Sequence, residues 1–177
     1  MSRNRQEFFT VPQKLQSLSK LKCVISAHQQ ENRTVVFVNG CFDLLHAGHI
    51  RYLEAACALG DLLVLGLNSD NSVRELKGPE RPVMNQEERT EIIAALACVD
   101  YIVIFDNPRA DHILSELKPD IHAKGTDYTQ ATVPERETVL SYGGLIAIVG
   151  DSKERSTHNL IERIKQAPIN SHNQNPT

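Results

Sequence analysis

The stretch NGCFDLLHAGH, residues 39–49, decides the fold because it joins two segments of different periodicity. Residues 35–38 before it are all β-branched or aromatic, which is typical of a strand buried on both faces of a sheet. In residues 50–59 after it, apolar side chains recur every three or four positions, which indicates an amphipathic helix. The stretch is therefore predicted to be a strand-to-helix turn, and it carries two histidines three positions apart, His46 and His49.

Strand and helix periods alternate along the rest of the chain, which is the pattern of βαβ units. Strands are predicted at residues 34–39, 61–69, 101–105, 121–125 and 145–150. Helices are predicted at residues 48–59, 70–76, 86–97, 109–118, 135–144 and 156–165. The predicted fold class is α/β: a Rossmann-like, doubly wound sheet of five parallel strands in a single domain, with an extra N-terminal helix.

The two ends of the chain are predicted to differ from this core. Residues 1–33 form an N-terminal helical extension, marked by the apolar positions Leu15, Leu18, Leu21, Val24 and Ile25. Residues 34–166 form the main domain, and the polar residues 167–177 are predicted to be a disordered tail. A chain of 177 residues with 41% hydrophobic content is long enough for one full core.

Composition limits the class of function. The formal net charge of -3, without a basic block, argues against a protein that binds nucleic acid through its phosphates. The four cysteines are far apart and form no CxxC pair, which favours reduced thiols. No apolar run reaches the roughly 20 residues that span a bilayer, and the N-terminus lacks a signal-peptide pattern, so we expect a cytoplasmic protein with no membrane partner.

The quoted turn is predicted to bind an anion. Parallel sheets bind ligands at the carboxyl ends of their strands, beside the point where the strand order reverses. The start of a helix presents unpaired N–H groups and a positive dipole, and Gly40 and Gly48 allow a ligand to approach the backbone. His46 and His49 can then donate hydrogen bonds to phosphate oxygens.

Three alternatives compete with this interpretation. Either histidine can serve only as a cap or a packing residue. Cys41, His46 and His49 are all zinc ligand types, but the chain has no further cluster at ligand spacing, so we predict no metal site in the protein. A dinucleotide site using Asp70 is disfavoured because the GxGxxG fingerprint is missing.

Other polar residues fall near the predicted crevice. The glycine and prolines of residues 77–83 place Lys77 and Arg81 on a predicted mobile loop, where Lys77 either closes over a substrate or is a solvated charge. Lys124 and Asp127 follow the fourth strand and are expected to contact substrate or nucleotide. Substrate contacts are also expected from Asn39 and from Asp43, although Asp43 can equally orient or cap its own turn. Arg89, on the predicted helix of residues 86–97, can contact a substrate or can equally form an ion pair at the surface.

The motif GCFDLLHAGH resembles the HxGH signature of the nucleotidylyltransferase superfamily. The further segments LKGPERPV, CVDYIVIF, KGTDY, YGG and RSTHNLIERI are similar to the heptose-1-phosphate adenylyltransferase module of ADP-heptose synthases. The resemblance extends over nearly the whole chain.

The resemblance implies roles for individual residues. The backbone at Cys41 and Phe42 and both histidines of the motif would bind the ATP phosphates, and Lys77 would contact the phosphates at the reacting centre. At the start of the last helix, Ser156 and Thr157 would also bind ATP. The chain departs from the pattern at two positions, where it has His158 in place of a threonine and Asp151 in place of an arginine. The second change leaves Arg155 as the local cation.

The resemblance also implies the reaction. AMP would pass from ATP to D-glycero-β-D-manno-heptose 1-phosphate, which gives ADP-heptose, a lipopolysaccharide core precursor, and pyrophosphate. Mg²⁺ would be held mainly by phosphate oxygens and water. The alternatives are a cytidylyltransferase acting on glycerol 3-phosphate or ethanolamine phosphate, and a non-catalytic nucleotide-binding regulator. A homodimer or higher homo-oligomer, and a separate sugar kinase that makes the acceptor, are further implications.

Overall fold

The computed structural model describes residues 11–151 and 157–166. Its sheet contains five parallel strands in the order β3-β2-β1-β4-β5. The strands are β1 Val35–Gly40, β2 Leu62–Asn68, β3 Tyr101–Phe105, β4 Ile121–Gly125 and β5 Leu145–Val149. The helices are α1 Val11–Lys14, α2 Leu18–Gln30, α3 Ala47–Cys57, α4 Asp70–Lys77, α5 Gln86–Ala94, α6 Asp111–Leu117, α7 Arg136–Ser141 and α8 Thr157–Gln166. The predicted α/β fold class is confirmed.

Both faces of the sheet are covered, which explains the unbroken apolar runs in its central strands. Alternate residues of β1 point to opposite faces. Val36 and Val38 pack in a core that includes Leu53 of α3. Val35 and Phe37 pack in a second core that includes Leu21 of α2.

The N-terminal helices belong to this layered core. Helix α2 begins after the cap Ser17 and buries Leu21 and Ile25 against the sheet. The prediction of one helix from Leu15 onward is wrong, because Leu15 forms a parallel bridge with Ile102 of the edge strand β3. The boundary between the N-terminal extension (residues 1–33) and the main domain (residues 34–166) remains a proposal, and the predicted disordered tail lies outside the described residues.

Helix α5 begins where the sequence predicts and ends earlier. Asn85 caps it in a capping box with Glu88, as expected from a good N-cap followed by acidic residues. The apolar pattern of this helix predicts a buried stripe of Ile92, Ile93, Leu96 and Ala97. That prediction is partly wrong, since Ile92 is exposed whereas Ile93 is buried. Arg89 occupies the buried position one turn before Ile93, so a charged residue replaces an apolar one in the stripe.

The strand order places the ligand crevice. Strand β1 pairs with β2 on one side and with β4 on the other. The chain therefore adds strands from β1 toward one edge of the sheet, and then, starting with β4, toward the other edge. Crevices that bind ligands form at the carboxyl ends of the two strands where the order changes in this way. The turn that follows β1 lies at this position. Among the helices that the structure describes, none is long and apolar enough to cross a membrane.

Candidate active site

A cleft of about 1100 Å³ opens at the carboxyl ends of the strands. Its floor includes Asn39 at the end of β1, Asn68 at the end of β2 and Lys124 near the end of β4. The structure brings most of the predicted site residues to this cleft: Asn39, Cys41, Phe42, Asp43, His46, Gly48, His49, Lys77, Lys124 and Asp127 all line it. Residues more than 80 positions apart in the sequence therefore share one binding volume.

The backbone of the turn is shaped by Phe42. This residue has a left-handed conformation with φ of 45° and is almost fully buried. A Cβ atom at Gly40 would lie only 3.1 Å from the Phe42 ring, so glycine permits the ring to fold back over the end of β1. The same ring lies 5.3 Å from the imidazole of His49. Phe42 therefore fixes both the path of the turn and one of the two histidines.

The two histidines stack at the start of α3. Their ring centroids are 3.9 Å apart with an angle of 19° between the planes. His46 is the N-cap residue, and its side chain makes no capping hydrogen bond to the helix. The His46 side chain therefore does not compete with an anion for the first N–H groups of α3, although the N–H of His49 already donates to the His46 carbonyl oxygen at 2.9 Å.

Lys77 is a further cation at this cleft. It is the last residue of helix α4, which ends at Gly78 with φ of 96°. The prediction of a loop position for Lys77 is therefore wrong, because the helix extends one residue further than its apolar pattern indicates. Lys77 still lines the cleft, and its charge acts on the thiol of Cys41. Burial raises the pKa of that thiol despite the nearby cations, so a zinc-binding thiolate is not favoured at Cys41.

Asp43 holds the neighbouring loop. Its carboxylate is only 2% exposed, accepts hydrogen bonds from the backbone N–H groups of Val83 (2.7 Å) and Met84 (3.1 Å), and forms an ion pair with Arg81. Arg81 lies on the predicted loop between α4 and α5, and its ion pair with Asp43 ties that loop to the turn. Asp43 lines the cleft with a carboxylate already committed to these partners, which favours a positioning role over a substrate contact.

The sequence did not predict the buried position and the backbone contacts of Arg89. Its side chain is 1% exposed, so the surface ion pair considered above is wrong. It donates to the carbonyl oxygens of Cys41 (2.6 Å), Asn68 (2.9 Å) and Met84 (3.1 Å), and pairs with Asp70 at 2.7 Å. One guanidinium therefore joins the turn, the end of β2 and the start of α5. The buried stripe of α5 contained the signal, since residues 89 and 93 are one turn apart.

Lys124 lies on the other side of the turn, at the switch point. It is 6% exposed, donates to Asn39 Oδ1 at 3.2 Å and pairs with Glu135 at 3.4 Å. Its ammonium group also lies 5.1 Å from the centre of the Tyr128 ring. Burial lowers the pKa of Lys124, while the Glu135 carboxylate opposes that shift. Glu135 was not predicted, because a loop of residues 126–134 separates it from the strand that it contacts.

Asp151 lies two residues after the end of β5. Asp151, noted as a departure from the family pattern, forms an exposed ion pair with Arg51 at 2.8 Å. Its carbonyl oxygen accepts from the hydroxyl of Thr126 at 2.7 Å, which ties this segment to the loop after β4. Arg155 and Ser156 lie outside the described residues. Thr157 begins α8, but its side chain is not described.

The donors around the cleft suit a nucleoside triphosphate. Helix N–H groups, imidazoles and lysines are phosphate-binding groups, and they face one volume. In the part of the chain that the structure describes, no three His, Cys, Asp or Glu side chains are grouped as metal ligands. The acidic groups Asp43 and Asp151 already pair with arginines. These residues fit a Mg²⁺ ion that is carried mainly by phosphate oxygens and water.

Comparison with known proteins agrees with this geometry. The model of the cytidylyltransferase-like family matches residues 37–172, which include the whole cleft. The chain belongs to the cytidylyltransferase-like family. Membership of this nucleotidyltransferase family implies a nucleoside triphosphate substrate.

Individual relatives are similar over most of the chain. It is 50% identical to the bifunctional protein HldE of Syntrophotalea carbinolica over 151 residues, which cover 85% of this chain and 31% of that protein. It is also 50% identical to the bifunctional protein HldE of Geobacter sulfurreducens over 154 residues, 87% of this chain and 31% of that protein. The chain thus spans about a third of the length of these curated relatives.

Solved structures share the fold. The lipopolysaccharide core biosynthesis protein from Thermoplasma volcanium superposes with a TM-score of 0.60 at 28% identity, covering 68% of this chain and 98% of that one. Pantoate-beta-alanine ligase from Francisella tularensis superposes with a TM-score of 0.55, over 86% of this chain and 77% of that one. At 14% identity, the second likeness concerns the fold alone.

Proposed function

We propose that the protein is an adenylyltransferase that transfers AMP from ATP to D-glycero-β-D-manno-heptose 1-phosphate, giving ADP-heptose and pyrophosphate. The observation that carries this proposal is the stacked pair of imidazoles, His46 and His49, which line the cleft at the start of α3, where the N-cap side chain makes no hydrogen bond to the helix. Such a cradle holds a triphosphate next to the switch point, where a second substrate can lie over β4. The sequence resemblance to ADP-heptose synthases supplies the sugar and the base.

The proposed chemistry needs positioned charge and no general base. An oxygen of the sugar 1-phosphate attacks the α-phosphorus of ATP and forms the new P–O bond. The bond to the β-phosphate oxygen breaks, and pyrophosphate leaves with its electron pair. The attacking phosphate is already an anion, so no proton has to be removed. Negative charge develops on the leaving group, where His46, His49 and Lys77 donate to it.

Other residues would hold the two substrates. The backbone of Cys41, Phe42 and Gly48 would contact the triphosphate, while Asn39, Lys124 and Asp127 would contact the acceptor or the nucleotide from the floor and the far wall. Arg155, Ser156 and Thr157 are proposed to bind ATP, as the sequence resemblance implies. Mg²⁺, when bound with the nucleotide, would neutralise part of its charge.

The names of similar proteins support a role in making a lipopolysaccharide precursor. The relatives at about 50% identity are bifunctional proteins named HldE, and the structural relative at 28% identity is named as a lipopolysaccharide core biosynthesis protein. A cytidylyltransferase acting on glycerol 3-phosphate or ethanolamine phosphate is the second candidate, favoured by the description of the matching family. We also propose a homodimer or higher oligomer, a cytoplasmic location with access to ATP, and a sugar kinase activity that supplies the acceptor.

A substrate matrix tests the proposal. ATP, CTP, GTP and UTP are each combined with heptose 1-phosphate, glycerol 3-phosphate and ethanolamine phosphate in the presence of Mg²⁺, and pyrophosphate release is measured. Release with ATP and heptose 1-phosphate, with a sugar nucleotide diphosphate in the phosphorus NMR spectrum, is the expected result. Turnover of CTP with glycerol 3-phosphate would contradict it, and ATP binding without turnover of any acceptor would identify a regulator.

The metal requirement is tested in the same assay. Removal of Mg²⁺ with EDTA is expected to abolish pyrophosphate release, and added Mg²⁺ is expected to restore it. A zinc-selective chelator is expected to leave the rate unchanged, because the carboxylates described above are paired and the Cys41 thiol is protonated. Stoichiometric zinc in the purified protein, together with loss of activity on its removal, would contradict this assignment.

A further inference from the structure

Four polar side chains form a connected set beneath the cleft. His122 Nε2 lies 3.0 Å from Asn39 Oδ1, and Lys124 Nζ lies 3.2 Å from the same oxygen. Lys124 is in turn paired with Glu135 at 3.4 Å. His122 is fully buried in the middle of β4, whereas Asn39 and Lys124 line the cleft. His122 therefore reaches the cleft only through Asn39.

The lysine determines the orientation of the Asn39 carboxamide. An ammonium group can only donate, so the carboxamide atom beside Lys124 must be the acceptor Oδ1. His122 Nε2 faces the same oxygen and must therefore carry a proton. Burial, together with the charge of Lys124, lowers the pKa of His122 to about 3, so the imidazole is neutral and its one proton lies on Nε2. These two donors turn Oδ1 toward β4 and leave the Nδ2 group for the cleft.

Stability does not account for a histidine at this position. His122 Nδ1 is buried and has no hydrogen-bond partner among the residues that the structure describes. A buried acceptor without a donor is unfavourable, and the neighbouring Phe37 ring, 6.0 Å away, would pack equally well against an apolar side chain. The Nε2 donor to Asn39 is therefore the feature of His122 that an apolar residue cannot replace.

We propose that His122 is a positioning residue that holds the Asn39 carboxamide with its Nδ2 group directed into the cleft, where it binds a phosphoryl oxygen of a substrate. Glu135 balances the charge of Lys124, so this part of the site supplies a directed donor more than net positive charge. The inference rests on the proposed function for the chemical class of the ligand. ATP and the sugar 1-phosphate both carry such oxygens, and the experiment distinguishes them.

Two substitutions that differ by one methylene test the role of Nε2. In His122→Gln the side-chain nitrogen takes the place of ring Nε2, whereas in His122→Asn it takes the place of ring Nδ1 and cannot reach Asn39. Dissociation constants for ATP, heptose 1-phosphate and inorganic pyrophosphate are measured by calorimetry, with kcat and KM in parallel. We expect His122→Gln to stay within about threefold of the wild type, and His122→Asn to weaken one ligand about tenfold, the loss of one hydrogen bond. The ligand that is weakened identifies the phosphate bound.

Two further variants separate positioning from folding. His122→Leu is expected to unfold at a temperature no lower than the wild type and to bind as weakly as His122→Asn. Asn39→Asp keeps the acceptor but removes the Nδ2 donor, and is expected to weaken the same ligand. Equal binding by His122→Gln and His122→Asn, or losses that follow the melting temperature alone, would overturn the inference. If the wild-type protein binds pyrophosphate but turns over no substrate, the proposed function is overturned and the inference about His122 is not. If the wild-type protein binds none of the three ligands, both the proposed function and the inference are overturned.

Discussion

Arg89 Nη1 lies 2.6 Å from the carbonyl oxygen of Cys41, so a buried guanidinium on α5 supports the turn that precedes α3. The same side chain reaches the carbonyl of Asn68 and the carboxylate of Asp70. The phosphate cradle is therefore supported from behind by a residue that does not line the cleft. The geometry of the turn therefore depends on the buried guanidinium of Arg89, which contacts three segments of the chain.

Replacing Arg89 is expected to damage both stability and binding. In Arg89→Met the carbonyl acceptors and Asp70 lose a buried partner, which should lower the free energy of unfolding by about 3 kcal/mol. Chemical denaturation checks this value, and calorimetry with ATP checks the cradle. Arg74→Met removes an exposed arginine of α4 and should change the unfolding free energy by less than about 0.5 kcal/mol. Similar losses in the two variants would contradict a supporting role for Arg89.

The stacked histidines are expected to act on turnover more than on folding. His46→Ala and His49→Ala should each lower kcat at least about tenfold while the melting temperature changes little. Steady-state pyrophosphate release and thermal unfolding check the two parts. His112→Ala, on an exposed position of α6, is the matched control. Near-normal turnover in both variants would remove the catalytic role.

Lys77 is expected to contribute charge at the reacting centre. Lys77→Ala should lower kcat/KM about a hundredfold, the effect of one well-placed donor to developing charge. Lys77→Arg keeps the charge at the end of α4 and should recover part of the loss. Lys20→Ala, on an exposed position of α2, controls for the change in net charge. If Lys77→Ala and Lys20→Ala had equal activity, Lys77 would be a solvated surface charge.

The ion pair of Asp43 and Arg81 is expected to hold the loop after α4. Asp43→Asn should lower the free energy of unfolding by about 3 kcal/mol, because it leaves a buried guanidinium without its carboxylate. The double variant with Arg81→Gln should be less destabilised than the sum of the single variants, since the two residues share one interaction. Denaturant unfolding of the four proteins measures this coupling. Strict additivity would show that the pair contributes little.

The buried His122 predicts the sign of a pH effect. Burial and the charge of Lys124 lower the pKa of His122 to about 3, against an opposing effect of Asp111, whereas in the unfolded chain the imidazole takes up a proton near its ordinary pKa of 6.5. The unfolded state therefore binds more protons between these values, and stability falls as the pH decreases through this range. The difference in unfolding free energy between wild type and His122→Gln should change by up to about 1.4 kcal/mol per pH unit there, and level off above it. Parallel curves for the two proteins would contradict the assignment.

Periodicity was sufficient to predict the fold, because the two buried faces of the central strands leave a strong apolar signal at residues 35–38 and 62–67. The position of the turn with His46, and of Lys124, at the cleft followed from the rule that parallel strands bind at their carboxyl ends. That rule does not cover Lys77, which reaches the cleft from the end of α4. Local patterns could not predict the partners of Arg89, His122 and Glu135. These contacts join residues up to 83 positions apart in the sequence, and they depend on strand order and side-chain direction.

The most direct test of the central claim is a crystal structure with a non-hydrolysable ATP analogue and Mg²⁺. The claim is that the turn of residues 40–49 holds the triphosphate. We predict phosphate oxygens within hydrogen-bonding distance of the N-terminal N–H groups of α3 and of the imidazoles of His46 and His49, with Lys77 on the opposite side. A nucleotide bound outside the cleft, with both imidazoles in contact with protein alone, would contradict the account.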